Sequence, residues 1–300
     1  MPPVAAGAVA MAAALDLVVA EPPQRVHPVA FLGRLVAPFD RQWRHPLAVG
    51  ALVALVVPGV AALVAGGVTG LAAVAHPLAG GLVAGLILFS ATSRRMLLDV
   101  AREVVGESAT DPPAARTALG ALAGRDASDL SPAHVRSAAV ESAAENLADG
   151  LVGPLLAFAL LAPVSLPLAA AGAAWVKAVN TVDSMLGYRE KPVGRVGARL
   201  DDVVMWAPAR LSALLIAVAA GRPGALRTGR RWSGRPSSPN SGAPMATLAS
   251  AIDVRLAKPG GYVLNPDASL PTVERANRGA DVVGVASGLA FVAAGVVTWL

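Results

Sequence analysis

The chain has 300 residues, 55% of them hydrophobic and only 15% charged, with 25 Lys and Arg against 20 Asp and Glu. An average globular chain carries about 25% charged residues; this one has too few to clothe a soluble domain of its size, and a membrane protein is expected. There is no cysteine, which excludes disulfides, iron–sulfur clusters, thiolate zinc sites and cysteine nucleophiles.

The basic residues are segregated. All except Arg210 fall in four polar stretches, residues 21–46, 93–149, 177–202 and 221–281. Between and around them lie apolar segments, residues 1–20, 47–92, 150–176, 203–220 and 282–300. The net charge of +5 therefore reads as basic flanks of membrane segments. No motif with interleaved aromatics points to nucleic acid, so the expected partner of the apolar surface is a lipid bilayer.

In chain order, residues 1–20 are helical by composition. Asp16 interrupts the run and no basic region precedes it, so it reads as a retained first membrane helix or a helix packed in the protein interior, and is a poor secretory signal. In "EPPQRVHPVAFLGRLVAPFDRQWRHP", Val29, Leu32, Leu35 and Val36 space like the apolar face of a short interfacial helix. Residues 47–92 look like two spans joined near "AHPLAGG", with Pro58 placed to kink the first. His27, His45 and His76 each precede Pro, which suits loop corners, and with His134 they show no metal-ligand spacing.

Residues 93–149 begin with the amphipathic helix "SRRMLLDVAREVV". A second helix follows Thr110-Asp111-Pro112, and a third is capped near Ser131-Pro132. Residues 150–176 are apolar but broken by Pro154, Pro163 and Pro167, giving a kinked span or a re-entrant hairpin. Residues 203–220 contain Pro208 and Arg210. A lipid-facing Arg is costly, so Arg210 faces protein, water or headgroups. A basic loop leads to "APMATLASAIDVRLA", which reads as helical, and residues 282–300 form the last span, with a Trp near its end.

The expected fold is all-α: a polytopic integral membrane protein, one membrane-embedded domain over residues 1–300, with about 4–6 membrane-embedded helices or hairpins. Cytoplasmic helical loops carry its polar site. If all four basic stretches face the cytoplasm, an even number of crossings separates any two. Residues 150–176 and 203–220 are then hairpins or re-entrant elements.

Four clusters are candidates for chemistry. In "VESAAENLADG", Glu141, Glu145 and Asp149 recur every fourth residue on one helix face, with Asn146 among them. Spacing alone leaves open a solvated acidic face, with Arg136 nearby, or a stripe for Mg²⁺, which favours oxygen ligands. In "KAVNTVDSM", Lys177, Asn180 and Asp183 share a face, either as a site or as a Lys–Asp pair fixing a helix end. In "ARLDDV", adjacent Asp201 and Asp202 point to different sides, as a site or as an acidic N-terminal turn. "SSPNSGAPM" is a turn leading into a helix, an anion site or simply a loop, with Ser238 and Asn240 its polar members. No P-loop, dinucleotide fingerprint, nucleophile elbow or H-E-x-x-H is present.

Taken in order, "GRDASDL", "VESAAENLADG", "VKAVNTVDSMLGY", "ARLDDVVMWAPARL" and "SPNSGAPMA", preceded by "LDLVVAEPPQRVHPVAFLGRLV", resemble the CobD/CbiB family of cobalamin biosynthesis, the adenosylcobinamide-phosphate synthases. The resemblance runs from about Leu15 to Tyr262. It implies a membrane enzyme that joins adenosylcobyric acid, a corrinoid, to aminopropanol or its phosphate through an amide bond, using ATP and Mg²⁺. Under it, Glu141, Glu145, Lys177, Asp183 and Asp202 are the candidate catalytic residues. Asn146, Asn180, Arg199, Arg210, Ser238 and Asn240 are the candidate substrate contacts. Glu145, Asp149 and Asp201 are the candidate metal ligands. It also implies a multi-pass protein of the cell membrane, with other corrinoid-pathway membrane proteins as possible neighbours. The chain departs from the family at Trp232 and Pro236, where Asp and His are expected, at Ala243 in place of Trp, and at Met245 in place of Glu. The rival from another class is a non-catalytic corrinoid-binding scaffold or a transporter. A transporter needs ionisable residues at mid-bilayer, and nearly all charges here lie outside the apolar segments.

Overall fold

The computed structural model describes residues 2–23, 25, 27–122, 127–188 and 190–300. Gly124, Arg125 and Asp126 of "GRDASDL" lie outside the described residues. The helices in chain order are α1 (Pro2–Val19), α2 (Pro28–Val36), α3 (Pro46–Ala75), α4 (Pro77–Ala91), α5 (Arg95–Thr110), α6 (Pro112–Leu119) and α7 (Pro132–Leu147). They continue with α8 (Gly153–Leu161), α9 (Leu166–Leu186), α10 (Arg195–Val204), α11 (Trp206–Ala219), α12 (Gly224–Gly229), α13 (Gly242–Ala251) and α14 (Val273–Trp299). A two-stranded antiparallel hairpin, β1 (Leu256–Lys258) and β2 (Tyr262–Leu264), stands between α13 and α14.

The helix starts follow local chemistry. Each expected His-Pro corner opens a helix with Pro in its first turn, where the missing N–H costs nothing. His27 and His76 also cap: their Nδ1 atoms accept the Val29 and Leu78 amide protons, both at 3.2 Å. Asp111 caps α6 through Ala114 N–H at 3.1 Å, and Ser131 caps α7 through His134 N–H at 3.4 Å. These side chains satisfy amide donors that the first helical turn leaves unpaired.

Five helical runs are long and apolar enough to cross a membrane: Pro2–Val19, Pro46–Ala75, Pro77–Thr110, Pro132–Leu161 and Val273–Trp299. A sixth arises if Pro192–Val204 and Trp206–Ala219, bent by 49°, count as one span. Their outer faces are bare. On α3, Leu55, Leu63, Leu71 and Val74 are 68%, 76%, 75% and 89% exposed. An apolar surface of that extent is stable against lipid, not water. The protein is therefore a multi-pass membrane protein of the all-α class. α3 runs unbroken through Pro58 for 30 residues, and residues 150–176 give α8, which ends the Pro132–Leu161 run, and the first part of α9, which packs on it and continues to Leu186.

The chain divides into two compact units. The first comprises Met1–Ser93, Asp149–Met205 and Phe291–Leu300; the second comprises Arg94–Ala148 and Trp206–Ala290. In the first, α9 packs against α3, α8 and α4. A buried cluster of Val36, Val53, Val57, Val182, Leu186 and Val193 fixes the C-terminal half of α9. In the second, α5 packs on α6 and α7, and α13 packs on α11 and α12.

One expectation is corrected here. "VRLA" does not continue the α13 helix. The helix stops at Ala251, Asp253 adopts φ +54°, and Leu256 enters β1. A Lys258-Pro259-Gly260-Gly261 turn then reverses the chain, with Gly261 N–H donating to Lys258 C=O at 2.9 Å and Gly260 at φ +70°. Pro followed by a left-handed Gly is the signature of a type II turn.

Candidate functional site

In the first unit the polar groups gather on α9. Lys177, Asn180 and Asp183 are all half-buried on it. Burial pushes the Lys177 ammonium below its ordinary range, while Asp149 and Glu21 oppose that shift by favouring its charge. Asp149 reaches this position from a single π-helical turn, Ala148–Val152. Pro154 cannot donate to the Gly150 carbonyl four residues back, and Ser93 N–H takes that carbonyl at 2.9 Å. Ser93 thus satisfies the carbonyl that Pro154 leaves without an amide donor.

Two groups that spacing did not single out join Lys177. Glu21 lies 3.7 Å from His27 Nε2. Burial lowers the His27 pKa, Glu21 opposes that shift, and Lys177 adds to it. The resemblance noted "EPP" and "HP" only as landmarks. Their sequence separation from Lys177 left no periodicity to find them by.

Asp183 is raised to about 6, first by burial and then by the charge of Asp202. Gly187 makes room for it: a Cβ there would overlap the Asp183 carboxylate oxygen. Asp201 and Asp202 do diverge, Asp201 buried and Asp202 half-buried, but both sit toward the C-terminal end of α10. They are not an acidic N-terminal turn. Arg199 is exposed on the same helix.

The fit to Mg²⁺ follows from these carboxylates. Among the described residues, no group of three or more His, Asp or Glu stands close enough to hold a metal ion. Of the expected metal ligands, Asp149 and Asp201 belong to the first unit and Glu145 to the second. A pair of mutually repelling carboxylates, Asp183 and Asp202, does suit Mg²⁺, which commonly takes one or two protein oxygens and completes its shell with water and phosphate.

In the second unit the acidic helix α7 carries Glu141 and Glu145. Glu141 is fully buried. Ser137 Oγ donates to Glu141 Oε1 at 2.8 Å, and Tyr262 OH donates to Oε2 at 2.8 Å. Ser137 Oγ also accepts Ala257 N–H at 2.8 Å. The carboxylate thus ties α7 to both strands of the hairpin. Arg136 does not serve it: its guanidinium donates to Pro271 C=O at 2.8 Å and Ser108 Oγ at 3.0 Å. Glu145 and Asn146 are half-buried on α7, and Asn146 Nδ2 donates back to Ser142 C=O at 3.0 Å.

Arg210 and Asn240 meet. Arg210 donates to Asn240 Oδ1, to Pro239 C=O at 3.1 Å and to Trp206 C=O at 3.2 Å, and its guanidinium lies 5.0 Å from the Trp206 ring centre. Ser238 Oγ accepts Asn240 N–H at 3.2 Å. The "SPNSG" turn is therefore held by Arg210, and much of the arginine's donor capacity is spent there. The departures Trp232 and Met245 are buried, Met245 with its sulfur 3.7 Å from the Tyr262 hydroxyl.

These features define a multi-pass helical membrane protein with carboxylates grouped about a lysine in one unit and an arginine-held turn in the other. The chain belongs to the CobD/CbiB protein family, whose model matches residues 9–289. It is 42% identical over 264 residues to the cobalamin biosynthesis protein CobD of Klebsiella pneumoniae, covering 83% of this chain and 81% of that one. It is 34% identical over 294 residues to the probable cobalamin biosynthesis protein CobD of Methanothrix thermoacetophila, covering 93% and 92%. With the cobalamin biosynthesis protein CbiB of Salmonella typhimurium it shares 38% identity over 267 residues, covering 83% and 81%. No solved structure matches the chain significantly. Membership of this family gives the chain a biosynthetic role in making cobalamin.

Proposed function

We propose that the chain is an ATP-dependent amide ligase that joins adenosylcobyric acid to aminopropanol or aminopropanol phosphate. The product is adenosylcobinamide or its phosphate. The observation that carries the reading is the family match over residues 9–289, in a chain whose α9 gathers carboxylates about Lys177.

A propionate does not react with an amine until one oxygen becomes a leaving group. Attack of the propionate oxygen on the γ-phosphorus of ATP releases ADP and gives an acyl phosphate. Attack of the amine nitrogen on the acyl carbon then forms the amide and releases inorganic phosphate. Each step moves negative charge onto oxygen, and a cation held in a water-poor site stabilises it. Lys177, with Asp149 and Glu21 favouring its charged form, suits that task. Arg199, exposed on α10, is open to phosphate or propionate. Asp183 and Asp202 would hold Mg²⁺, which offsets phosphate charge when bound. Asn180 lies on the same face as Lys177 and Asp183 and would orient the substrate.

The positive-inside pattern supports a cytoplasmic polar site in the cell membrane. Because the chain lacks cysteine, single cysteines placed in residues 177–202 report their side directly. Labelling only from outside the cell contradicts the orientation. The function is tested by growth: a deletion strain is expected to recover with cobinamide and not with cobyric acid. Recovery with both would count against the ligase.

A further inference from the structure

On α5, Arg95, Asp99 and Arg102 recur at the spacing of one helix face. That face is exposed, while Leu97, Leu98, Ala101 and Val104 bury the other. On α14, Asp281, Val285 and Gly288 repeat the same spacing. The two faces line a cavity of about 560 Å³ in the second unit, together with Arg94. Arg102 Nη2 donates to Asp281 Oδ1 at 2.9 Å, and Arg94 Nη2 donates to Gly284 C=O at 3.4 Å, so the arginines tie α5 to α14. Arg95 Nε meets Asp99 Oδ2 at 3.4 Å.

The cavity lies where both helical runs change character. The run Pro77–Thr110 holds no charged residue before Arg94. α14 carries its last charge at Asp281, and residues 282–300 hold none. In a membrane protein such a change marks the boundary between hydrocarbon and headgroups. The cavity shows the same split within itself, charged at Arg94, Arg95 and Arg102 and apolar at Val285 and Leu289. A Cβ on Gly288 would meet nothing within 4 Å, so the apolar end is open.

The charges select the occupant. Among the described residues, three arginines and two aspartates line the cavity, which leaves one positive charge in excess. Exposed ion pairs contribute little and exchange readily, and a guanidinium has more donors than one carboxylate contact takes. A phosphodiester carries the one matching negative charge and accepts paired N–H bonds from arginine. The aspartates accept from headgroup hydroxyls. An ammonium headgroup would also suit the aspartates, but a zwitterion leaves the excess charge unmatched.

We propose that this cavity binds one anionic phospholipid of the phosphatidylglycerol type. Its phosphodiester meets Arg94, Arg95 and Arg102, its glycerol hydroxyls meet Asp99, and an acyl chain follows Val285, Gly288 and Leu289. A basic pocket between helices at the bilayer surface is the arrangement that recognises such lipids. The bound lipid joins α5 to α14 at that surface, whatever reaction the chain performs.

The test is native mass spectrometry of the full chain in detergent, with phosphatidylglycerol, phosphatidylethanolamine and phosphatidylcholine added in equal amounts. Phosphatidylglycerol is expected to be retained about tenfold better than either zwitterion. The double variant Arg95→Gln with Arg102→Gln is expected to lose that preference, with the zwitterions unchanged. Gly288→Leu alters no charge, fills the open end and is expected to reduce retention by a smaller factor. Lys258→Gln, on an exposed position of the hairpin in the same unit, is expected to change nothing. Thermal unfolding gives a second readout: phosphatidylglycerol is expected to raise the unfolding temperature of the unaltered chain and not that of the double variant. Retention of phosphatidylglycerol no better than of phosphatidylethanolamine overturns the proposal. So does an unchanged preference in the double variant, or an equal loss in Lys258→Gln, which would mark general attraction of anions. If the double variant does not fold, Gly288→Leu decides, and full retention there overturns the proposal.

Discussion

Lys177 and Glu141 are both ionisable groups withdrawn from water, yet they stand in opposite situations. Lys177, in the first unit, is surrounded by charges that pull on it unequally: burial lowers its pKa, while Asp149 and Glu21 sustain its charge. Its neighbour Asp183 is raised to about 6 by burial and by Asp202. Glu141, in the second unit, has two hydroxyl donors at 2.8 Å. We read the unsettled charge as a place for a ligand. Bonded charge marks a joint. Both motifs are polar stripes on helices in the sequence, and only their partners separate chemistry from construction.

The largest expected effect tests the first half of that contrast. Lys177→Met removes the cation while filling its space, and ligation is expected to fall about 10²–10³-fold, as when a charge-stabilising donor is lost. A change of only a few fold would remove Lys177 from the chemistry. Asp183→Asn is expected to cost about 10²-fold in turnover, with the Mg²⁺ requirement shifted to higher concentration. Steady-state assays across a Mg²⁺ series check it.

Glu141 sharpens the contrast from the other side. Glu141→Ala strands the Tyr262 and Ser137 hydroxyls in the interior, an expected loss of about 1–3 kcal/mol, read by thermal unfolding in detergent. Glu141→Gln keeps an acceptor and is expected to retain much of the activity. If Glu141→Gln is as inactive as Lys177→Met while unfolding normally, the contrast between the two regions is wrong. Glu145→Gln separates Glu145 from its buried neighbour: full activity there removes the acidic stripe from the chemistry.

The smallest effect concerns pH. Asp183 has a folded pKa of about 6 against an ordinary 3.8, so the native state holds the proton more tightly than the unfolded chain. Stability therefore falls as pH rises from 3.8 to about 6. Activity that needs ionised Asp183 rises through about 6. Asp202→Asn removes the repulsion, and the acidic limb of the pH–rate profile is expected to move to lower pH. An unmoved limb would dissociate the two carboxylates.

Much of this was legible in the sequence. Segregated charge gave the membrane class, His-Pro, Asp-Pro and Ser-Pro pairs gave helix starts, and three-residue spacing put Lys177, Asn180 and Asp183 on one face. What was not legible depends on distant pairing. The β-hairpin was missed because "VRLA" carries helix-compatible residues, although "KPGGY" holds the turn signal. The bond between Glu141 and Tyr262 joins residues 121 positions apart, beyond any local pattern. The same holds for Glu21 and His27 beside Lys177, and for Arg210 holding Asn240 across 30 residues. Periodicity reports which face a residue shares, not what the face meets.

The most direct measurement uses the purified chain in detergent with adenosylcobyric acid, ATP, Mg²⁺ and aminopropanol, with and without its phosphate, followed by mass spectrometry. The account predicts an amide-linked cobinamide product formed with one ADP released per amide. Corrinoid binding with no amide product and no ATP consumption would contradict it and leave a scaffold.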